Sequence, residues 1–351
     1  MVETKAEKAK APSRRTSITD VARVLQVSAS TVSRALSDQQ DISKATKARV
    51  RQVAHAMNYQ PNLVAAGLRR GQSKTLGVIL PHLSGAFYPT VLHGIEKMAS
   101  QHGYQVLVCQ SHDEVRCEQR RVAALLAAQV EGILIPVSAT TLAEVNHLAQ
   151  VQQAGTGLVF FDRAPADLPG SAAVLLDTYN GAYEAVTHLI KGGSRRIAHF
   201  AGPQQVSTSR NCQEGYLAAL RDHQLPAREE LMYPVSPSCS ESGRRGMEYL
   251  LKRAYPPDAV FAASAIPLVG ALAVLHERGV QIPQQIALAG FSNEPFTTMT
   301  QPHLTMVDQR AEQMGQSAVR LLLQLLKRNS QVNHPNVFLK PELIIRDSSR
   351  R

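Results

Sequence analysis

From Thr75 onward the chain repeats one pattern: a short, almost purely apolar run, a polar or helical stretch, then another run. The runs are Leu76–Leu80, Val106–Cys109, Gly132–Val137, Gly157–Phe161, Ala172–Leu176, Ile197–Ala201, Ala259–Ala263 and Ile286–Phe291, and helical stretches of 12–18 residues separate most of them. A strand that alternates apolar and polar residues buries one face, whereas a continuous apolar run buries both. Continuous runs joined by crossover helices therefore specify parallel sheets covered by helices on both sides. About 275 residues is large for one such layer, so two α/β subdomains are expected. In doubly wound sheets ligands sit at the carboxyl ends of the strands. Here those ends are Ser84-Gly85-Ala86-Phe87-Tyr88, Ser111-His112, Asp162-Arg163, Thr208-Ser209-Arg210, Ser264-Ala265 and Ser292-Asn293.

The residues before Thr75 follow a different rule. Residues 1–72 hold thirteen Lys/Arg and five Asp/Glu, which is +8 of the chain's formal +10. A cationic module on a nearly neutral body points to a polyanion at one end and something else at the other. Residues 1–16 have no apolar pattern and read as a disordered tail; no apolar core follows the initial Met, so a secretory signal is not expected. Ser17-Ile18-Thr19-Asp20 is a capping box, and Val21, Val24 and Leu25 at i, i+3, i+4 give the first helix an apolar face. Ser28 caps a second helix with Val32, Ala35 and Leu36 inward and Ala29, Ser30, Ser33 and Arg34 outward. Short hydroxyl side chains allow close approach, and an Arg pairs bidentately with guanine, so this helix suits a major groove. Ser43 caps a third helix running to about Met57, with Val50, Val53 and Met57 inward. No Gly or Pro occurs from Ser13 to Gln60, and three capped helices in this length make a small helix-turn-helix domain over 17–61.

Thr19-Asp20-Val21-Ala22, Val27-Ser28-Ala29-Ser30-Thr31-Val32-Ser33-Arg34-Ala35-Leu36 and Asn58-Tyr59-Gln60-Pro61-Asn62 resemble the signature of the LacI/GalR family of bacterial transcription regulators, and the resemblance extends from about residue 17 to 348. It implies that Ala29, Ser30 and Arg34 read bases and that Ser17, Ser28, Thr31, Ser33, Tyr59 and Asn62 touch phosphates. Residues 62–73 then resemble the family's hinge helix and linker, with Leu68 as a wedge in the minor groove and Arg69 and Arg70 facing phosphates. For the body, 74–351, the resemblance implies the periplasmic-binding-protein type I fold. An N-subdomain would span about 74–165 and 305–330, and a C-subdomain about 166–304 and 331–348. Crossings are expected near 162–170, 293–305 and 330. Where the family has Gly in the helix-turn-helix turn this chain has Gln26, and a left-handed non-Gly residue costs roughly 1 kcal/mol.

The implied function is a homodimeric repressor on a near-palindromic double-stranded operator, controlled by a small molecule between the subdomains. The expected effector residues are Phe87, Tyr88, Ser111, Asp162, Thr208, Arg210, Ser264, Ser292 and Asn293. Three departures bear on the ligand. Cys212, Ser292 and Ser264-Ala265 stand where sugar- or purine-binding members carry Arg, Asp and Asn-Asp. With the charged clamps missing, a neutral sugar or polyol is the expected ligand, with an acid held by Arg210 as the competing view. Control by a protein partner at a degraded cleft, a solute-binding protein and an enzyme are the alternatives. Against an enzyme, no dinucleotide fingerprint, phosphate loop, metalloprotease motif or nucleophile elbow occurs. Cys109, Cys117, Cys212 and Cys239 lack metal spacing and read as reduced residues of a cytoplasmic protein. No cofactor or metal is expected, and no run approaches the 18 apolar residues of a membrane span.

Overall fold

A computed structural model describes residues 16–60, 73–139, 141, 145–165, 168, 171–327 and 336–351. The chain divides into two units, residues 1–73 and 74–351. Of the expected tail over 1–16, residues 1–15 lie outside the described residues, as do the hinge residues Asn62, Leu68, Arg69 and Arg70, whereas Thr16 is described and its hydroxyl donates to the Met57 carbonyl at 2.9 Å.

The first unit is three short helices, α1 (Ile18–Leu25), α2 (Ala29–Leu36) and α3 (Lys44–Ala56). Each begins at a serine whose side chain accepts a backbone N–H: Ser17 from Asp20, Ser28 from Thr31 and Ser43 from Thr46. The Asp20 carboxylate returns the bond to the Ser17 amide at 2.9 Å, which completes the capping box. Gln26 ends α1 at φ 56, ψ 39, the left-handed conformation expected where a Gly is absent. Val21, Ala22, Leu25, Val32, Ala35, Val50 and Ala54 form the core, with Ile18, Leu36, Val53, Met57 and Tyr59 packed on it. Val24 departs from the expected stripe and is 57% exposed. At 100° per residue it lies about 110° from the centre of the face made by Ile18, Val21, Ala22 and Leu25, so Ala22 takes the inward place.

The second unit has two six-stranded sheets. The first has the order β11-β5-β4-β3-β1-β2 and the second β12-β10-β9-β8-β6-β7. The strands are β1 (Thr75–Leu80), β2 (Gln105–Gln110), β3 (Gly132–Ile135), β4 (Gly157–Phe161), β5 (Ala172–Leu176), β6 (Ile197–Ala201), β7 (Met232–Pro234), β8 (Ala259–Ala262), β9 (Ala287–Phe291), β10 (Thr305–Asp308), β11 (Val337–Leu339) and β12 (Glu342–Ile344). Every pairing is parallel except β10 with β12. All eight apolar runs are strands, and the central ones β3, β6, β8 and β9 are buried along their whole length. The covering helices are α4 (Phe87–Gln101), α5 (Val115–Ala127), α6 (Asn146–Gln153), α7 (Thr178–Lys191), α8 (Ser207–Asp222), α9 (Ser240–Leu251), α10 (Ala265–Glu277) and α11 (Ala311–Lys327).

The crossings between halves lie elsewhere than expected. β5 still pairs with β4, so the chain leaves the first sheet at Asp177 rather than near 162–170. β10 pairs with β9, so the return runs through Gln309 and Arg310 into α11, which packs on α4 and β4 of the first half, and not through 293–305. The last crossing is Lys340-Pro341, between β11 in the first sheet and β12 in the second, not near 330. The expected divisions 74–165 with 305–330 and 166–304 with 331–348 accordingly put β5, β10 and β11 in the wrong halves. For β10 and β11 the physical cause is length: at four and three residues they carry too few apolar side chains to stand out as runs, whereas β5 was legible as a run and only its pairing with β4 reveals its half.

Candidate functional site

On α2 the small and polar side chains fall outside the core. Ser30 and Arg34 are exposed, Ala29, Thr31 and Ser33 half-buried, while Val32 and Ala35 face inward. The hydroxyl of Ser28 contacts those of Ser30 (2.7 Å) and Thr31 (2.8 Å), so the helix start presents a cluster of hydroxyls. Ser17 is drawn into its own cap by Asp20, and Tyr59 packs on the core. Arg34 donates from Nη1 to Asp41 Oδ2 at 2.7 Å. The geometry is a short exposed helix with small side chains at its start and a guanidinium near its end, the form a major-groove reader takes.

In the second unit, β4 and β9 end alike. Asp162 (φ 60) and Ser292 (φ 76) are both left-handed, and their amides donate to Val174 (3.0 Å) and Val307 (3.1 Å) on the neighbouring strands. Each half thus turns a polar residue outward at the same point of its sheet. Between the halves lies a cavity of about 460 Å³. The first half contributes Ala86, Phe87 and Thr90 from the start of α4, and Gln313 and Gln316 from α11. The second contributes Ser292, Asn293, Glu294 and Asp308.

Of the nine expected effector residues, Phe87, Ser292 and Asn293 line this cavity and the other six do not. Tyr88 is buried and donates to Asp162 Oδ2 at 2.8 Å. Arg163, itself buried, reaches Tyr88 Oη (3.4 Å) and Asp113 Oδ1 (2.8 Å). Burial raises both the Asp162 carboxyl and the Tyr88 hydroxyl; for Arg163 burial works downward, but the surrounding Tyr88, Asp162 and Asp113 outweigh it. This network closes on itself. Ser111 is fully enclosed and lies 3.4 Å from Ser138 Oγ, beside the buried Glu118, which holds Thr141 (3.0 Å), His147 (2.7 Å) and the Ser138 amide (2.6 Å). Ser264 donates to the Pro237 carbonyl at 2.9 Å, Thr208 is half-buried, and Arg210 is exposed on α8. Cys212 is buried, and that burial pushes its thiol well up.

Several lining residues escaped the sequence reading. Glu294 is the foremost. Its carboxylate accepts the Ala86 amide of the opposite half at 2.8 Å and the Ser292 hydroxyl at 3.2 Å. Asp308 accepts from Asn293 Nδ2 (3.0 Å) and the Arg310 amide (2.7 Å), while Arg346 Nη2 holds Asn293 Oδ1 at 2.7 Å. Arg310, the one cation on the wall among the described residues, is tied to Glu342 at 2.7 Å. Glu294 lies two residues beyond the expected Ser292, and the strand-end rule extended by one turn would have included it.

Residues 17–62 match the family described as bacterial regulatory proteins, lacI family, and residues 186–349 match the periplasmic binding protein-like domain. The chain is 31% identical to the HTH-type transcriptional repressor CytR of Escherichia coli (strain K12), over 98% of this chain and 99% of that one. It belongs to the LacI family. The structure resembles the lac repressor dimer bound to operator and the anti-inducer ONPF, with TM-score 0.84, 25% identity and coverage of 96% and 99% of the two chains. It also resembles the transcriptional regulator CelR in its cellobiose complex, with TM-score 0.70, 27% identity and coverage of 95% and 100%. The fold is the family's, a helix-turn-helix unit with two parallel α/β subdomains, and the chain is a DNA-binding transcriptional repressor. Among the described residues no helix is long and apolar enough to cross a membrane, and no group of three His, Cys, Asp or Glu is placed to hold a metal.

Proposed function

We propose that this repressor binds a near-palindromic operator as a homodimer and that a neutral, hydroxyl-rich small molecule in the cleft sets its operator affinity. The observation that carries the ligand class is the wall of the cavity. It offers the carboxylates of Glu294, Asp308 and Glu312, the amides of Asn293, Gln309, Gln313 and Gln316, and one aromatic ring, Phe87. Carboxylate and amide oxygens accept hydroxyl protons and repel anions, and the lining guanidinium is already paired. An aromatic face with several hydrogen-bonding groups suits a saccharide. The cellobiose complex of CelR supports the same class. For the homodimer, the edge strand β2 leaves Leu107 and Val108 each 42% exposed, an apolar edge suited to a second copy.

On the DNA side, Ala29, Ser30 and Arg34 read bases, and Ser17, Ser28, Thr31, Ser33 and Tyr59 contact phosphates, with Asn62, Leu68 and Arg69 completing the interface. Neutralising roughly 6–10 phosphates per dimer gives a log–log salt slope of about −5 to −9. Ligand binding that differs in strength between two angles of the halves then becomes a change in operator affinity.

Calorimetry with cellobiose, other neutral saccharides and their phosphorylated counterparts tests the ligand class, alongside operator binding as a function of salt. Binding of a neutral saccharide with a shift in operator affinity is expected. Binding of anions alone overturns the neutral ligand, and its loss in Arg210→Ala would assign it to the exposed α8 guanidinium, off the cavity wall; a slope near zero with every duplex overturns the operator reading.

A further inference from the structure

The loop between α2 and α3 presents a contradiction. A unit that meets a polyanion gains non-specific affinity from every cation and loses it with every carboxylate. Yet residues 37–42 carry two carboxylates, Asp38 and Asp41, directly after the reading helix. Both are committed to cations. Asp38 Oδ1 lies 3.1 Å from Lys47 Nζ and 3.0 Å from Arg51 Nη2, which ties the loop to α3. Asp41 Oδ2 takes Arg34 Nη1 at 2.7 Å, seven residues back on α2.

The loop is fixed well enough to aim that carboxylate. The Gln39 amide donates to the Arg34 carbonyl (3.1 Å), the Ile42 amide to the Gln39 carbonyl (3.3 Å), and Ile42 packs on the helical core. Asp41 therefore sits between Gln39, tied back to α2, and the core-packed Ile42, two residues before the Ser43 cap of α3. Its bond occupies one nitrogen of Arg34, and this is the guanidinium's sole hydrogen bond among the described residues. A guanidinium has five N–H donors in a planar fork. With Nη1 held, the edge formed by Nε–H and Nη2–H stays open, and that edge matches the O6 and N7 acceptors of guanine.

We infer that Asp41 is a specificity-determining residue that buttresses Arg34 for guanine. The inference rests on the reading of Arg34 as a base contact. Two physical effects follow. Arg34 has several rotatable bonds, and a fixed partner removes part of the ordering cost of presenting one edge to a base. The second effect is selective repulsion. Guanine is neutral and offers two acceptors, so the carboxylate opposes it little. A phosphate carries a full charge, and Asp41 opposes its capture by the same guanidinium. Asp41 thus gives up non-specific affinity and gains discrimination.

The test uses the full-length chain and a duplex selected by the wild-type protein from random sequence. Affinities are measured for that duplex, for duplexes with each half-site base pair exchanged, and for random DNA, with wild type, Asp41→Asn, Arg34→Ala and the double variant. Asp41→Asn is nearly isosteric at an exposed pair, and circular dichroism checks its fold. Expected for Asp41→Asn are a several-fold gain on random DNA, a steeper salt slope, and a loss of about tenfold in discrimination at the single base pair where Arg34→Ala loses its own. In the Arg34→Ala background Asp41→Asn then changes that discrimination no further. Full discrimination in Asp41→Asn, or an equal loss with and without Arg34, overturns the buttress while leaving Arg34 as a reader. Full discrimination in Arg34→Ala at every position overturns both.

Discussion

His199 shows how one enclosed side chain sets a pH dependence. It has no exposed surface and stacks between Tyr216 and Phe261 at centroid distances of 4.9 and 5.4 Å. Nδ1 donates to the Phe261 carbonyl at 3.1 Å, which fixes the tautomer and leaves Nε2 bare of any partner in an apolar setting. Burial pushes the ring down from 6.5 to about 4. Above pH 6.5 both folded and unfolded chains hold it neutral, and it costs nothing. Between 6.5 and 4 the unfolded chain takes up a proton that the folded chain refuses, so stability falls as pH falls. The loss at pH 5 is about 2 kcal/mol, relative to pH 7. Urea unfolding at the two pH values should show that loss in wild type and not in His199→Phe; equal losses in both would place the pH sensitivity elsewhere. The sequence alone does not show that His199 is enclosed, because Ile197-Ala198-His199-Phe200 reads as a buried strand whichever way its polar member faces.

Among the elements, length decided what was legible. Runs of four or more apolar residues were readable as strands, because burial on both faces of a parallel sheet demands an uninterrupted run. β10 (Thr305–Asp308) and β12 (Glu342–Ile344) gain their places by hydrogen bonding to neighbours far away in sequence, with Met306 opposite Ile344, and a short window cannot contain that information. Helix pairing was equally hidden. A Cβ on Gly94 would meet the Glu312 carbonyl, and one on Gly315 would meet the Val91 carbonyl, so α4 and α11 touch backbone to backbone at two reciprocal points. Gly243 against Pro267 and Gly270 against Ser240 repeat the device for α9 and α10 in the other half. Backbone carbonyls cannot swing aside as side chains do. Gly315→Ala must therefore separate the two helices that carry the α4 wall of the cavity, at a cost of about 1–3 kcal/mol. The denaturant midpoint reports it; a midpoint at the wild-type value would mean that the helices have slack between them.

For the molecule as a whole, three crossing segments join the halves of the second unit, and the contacts the halves share at the cleft bear on the angle between them. Glu294 supplies such a contact. It sits just beyond β9 in the second half, is 9% exposed, and accepts the amide of Ala86, which opens α4 in the first half. A carboxylate is well placed there, because the first amides of a helix lack partners and carry positive potential. The residues are 208 apart in sequence, so no local pattern announces their meeting, and for the same reason most of the cavity wall went unread. A ligand that enters between Phe87 and Asn293 must either keep this bond or break it, and only a difference between those two states alters the resting angle. Glu294→Ala removes the acceptor while leaving each half's core untouched. Hydrogen exchange followed by mass spectrometry should then show lost protection in peptides covering Ala86 to Thr90, with β1, β3 and β9 unchanged. Glu294→Gln, which keeps an acceptor oxygen without the charge, should fall between the two. If the Ala86 peptides exchange at the wild-type rate in Glu294→Ala, the bond does not hold the halves, and the angle is set by the crossing segments at Asp177, Gln309-Arg310 and Lys340-Pro341 alone.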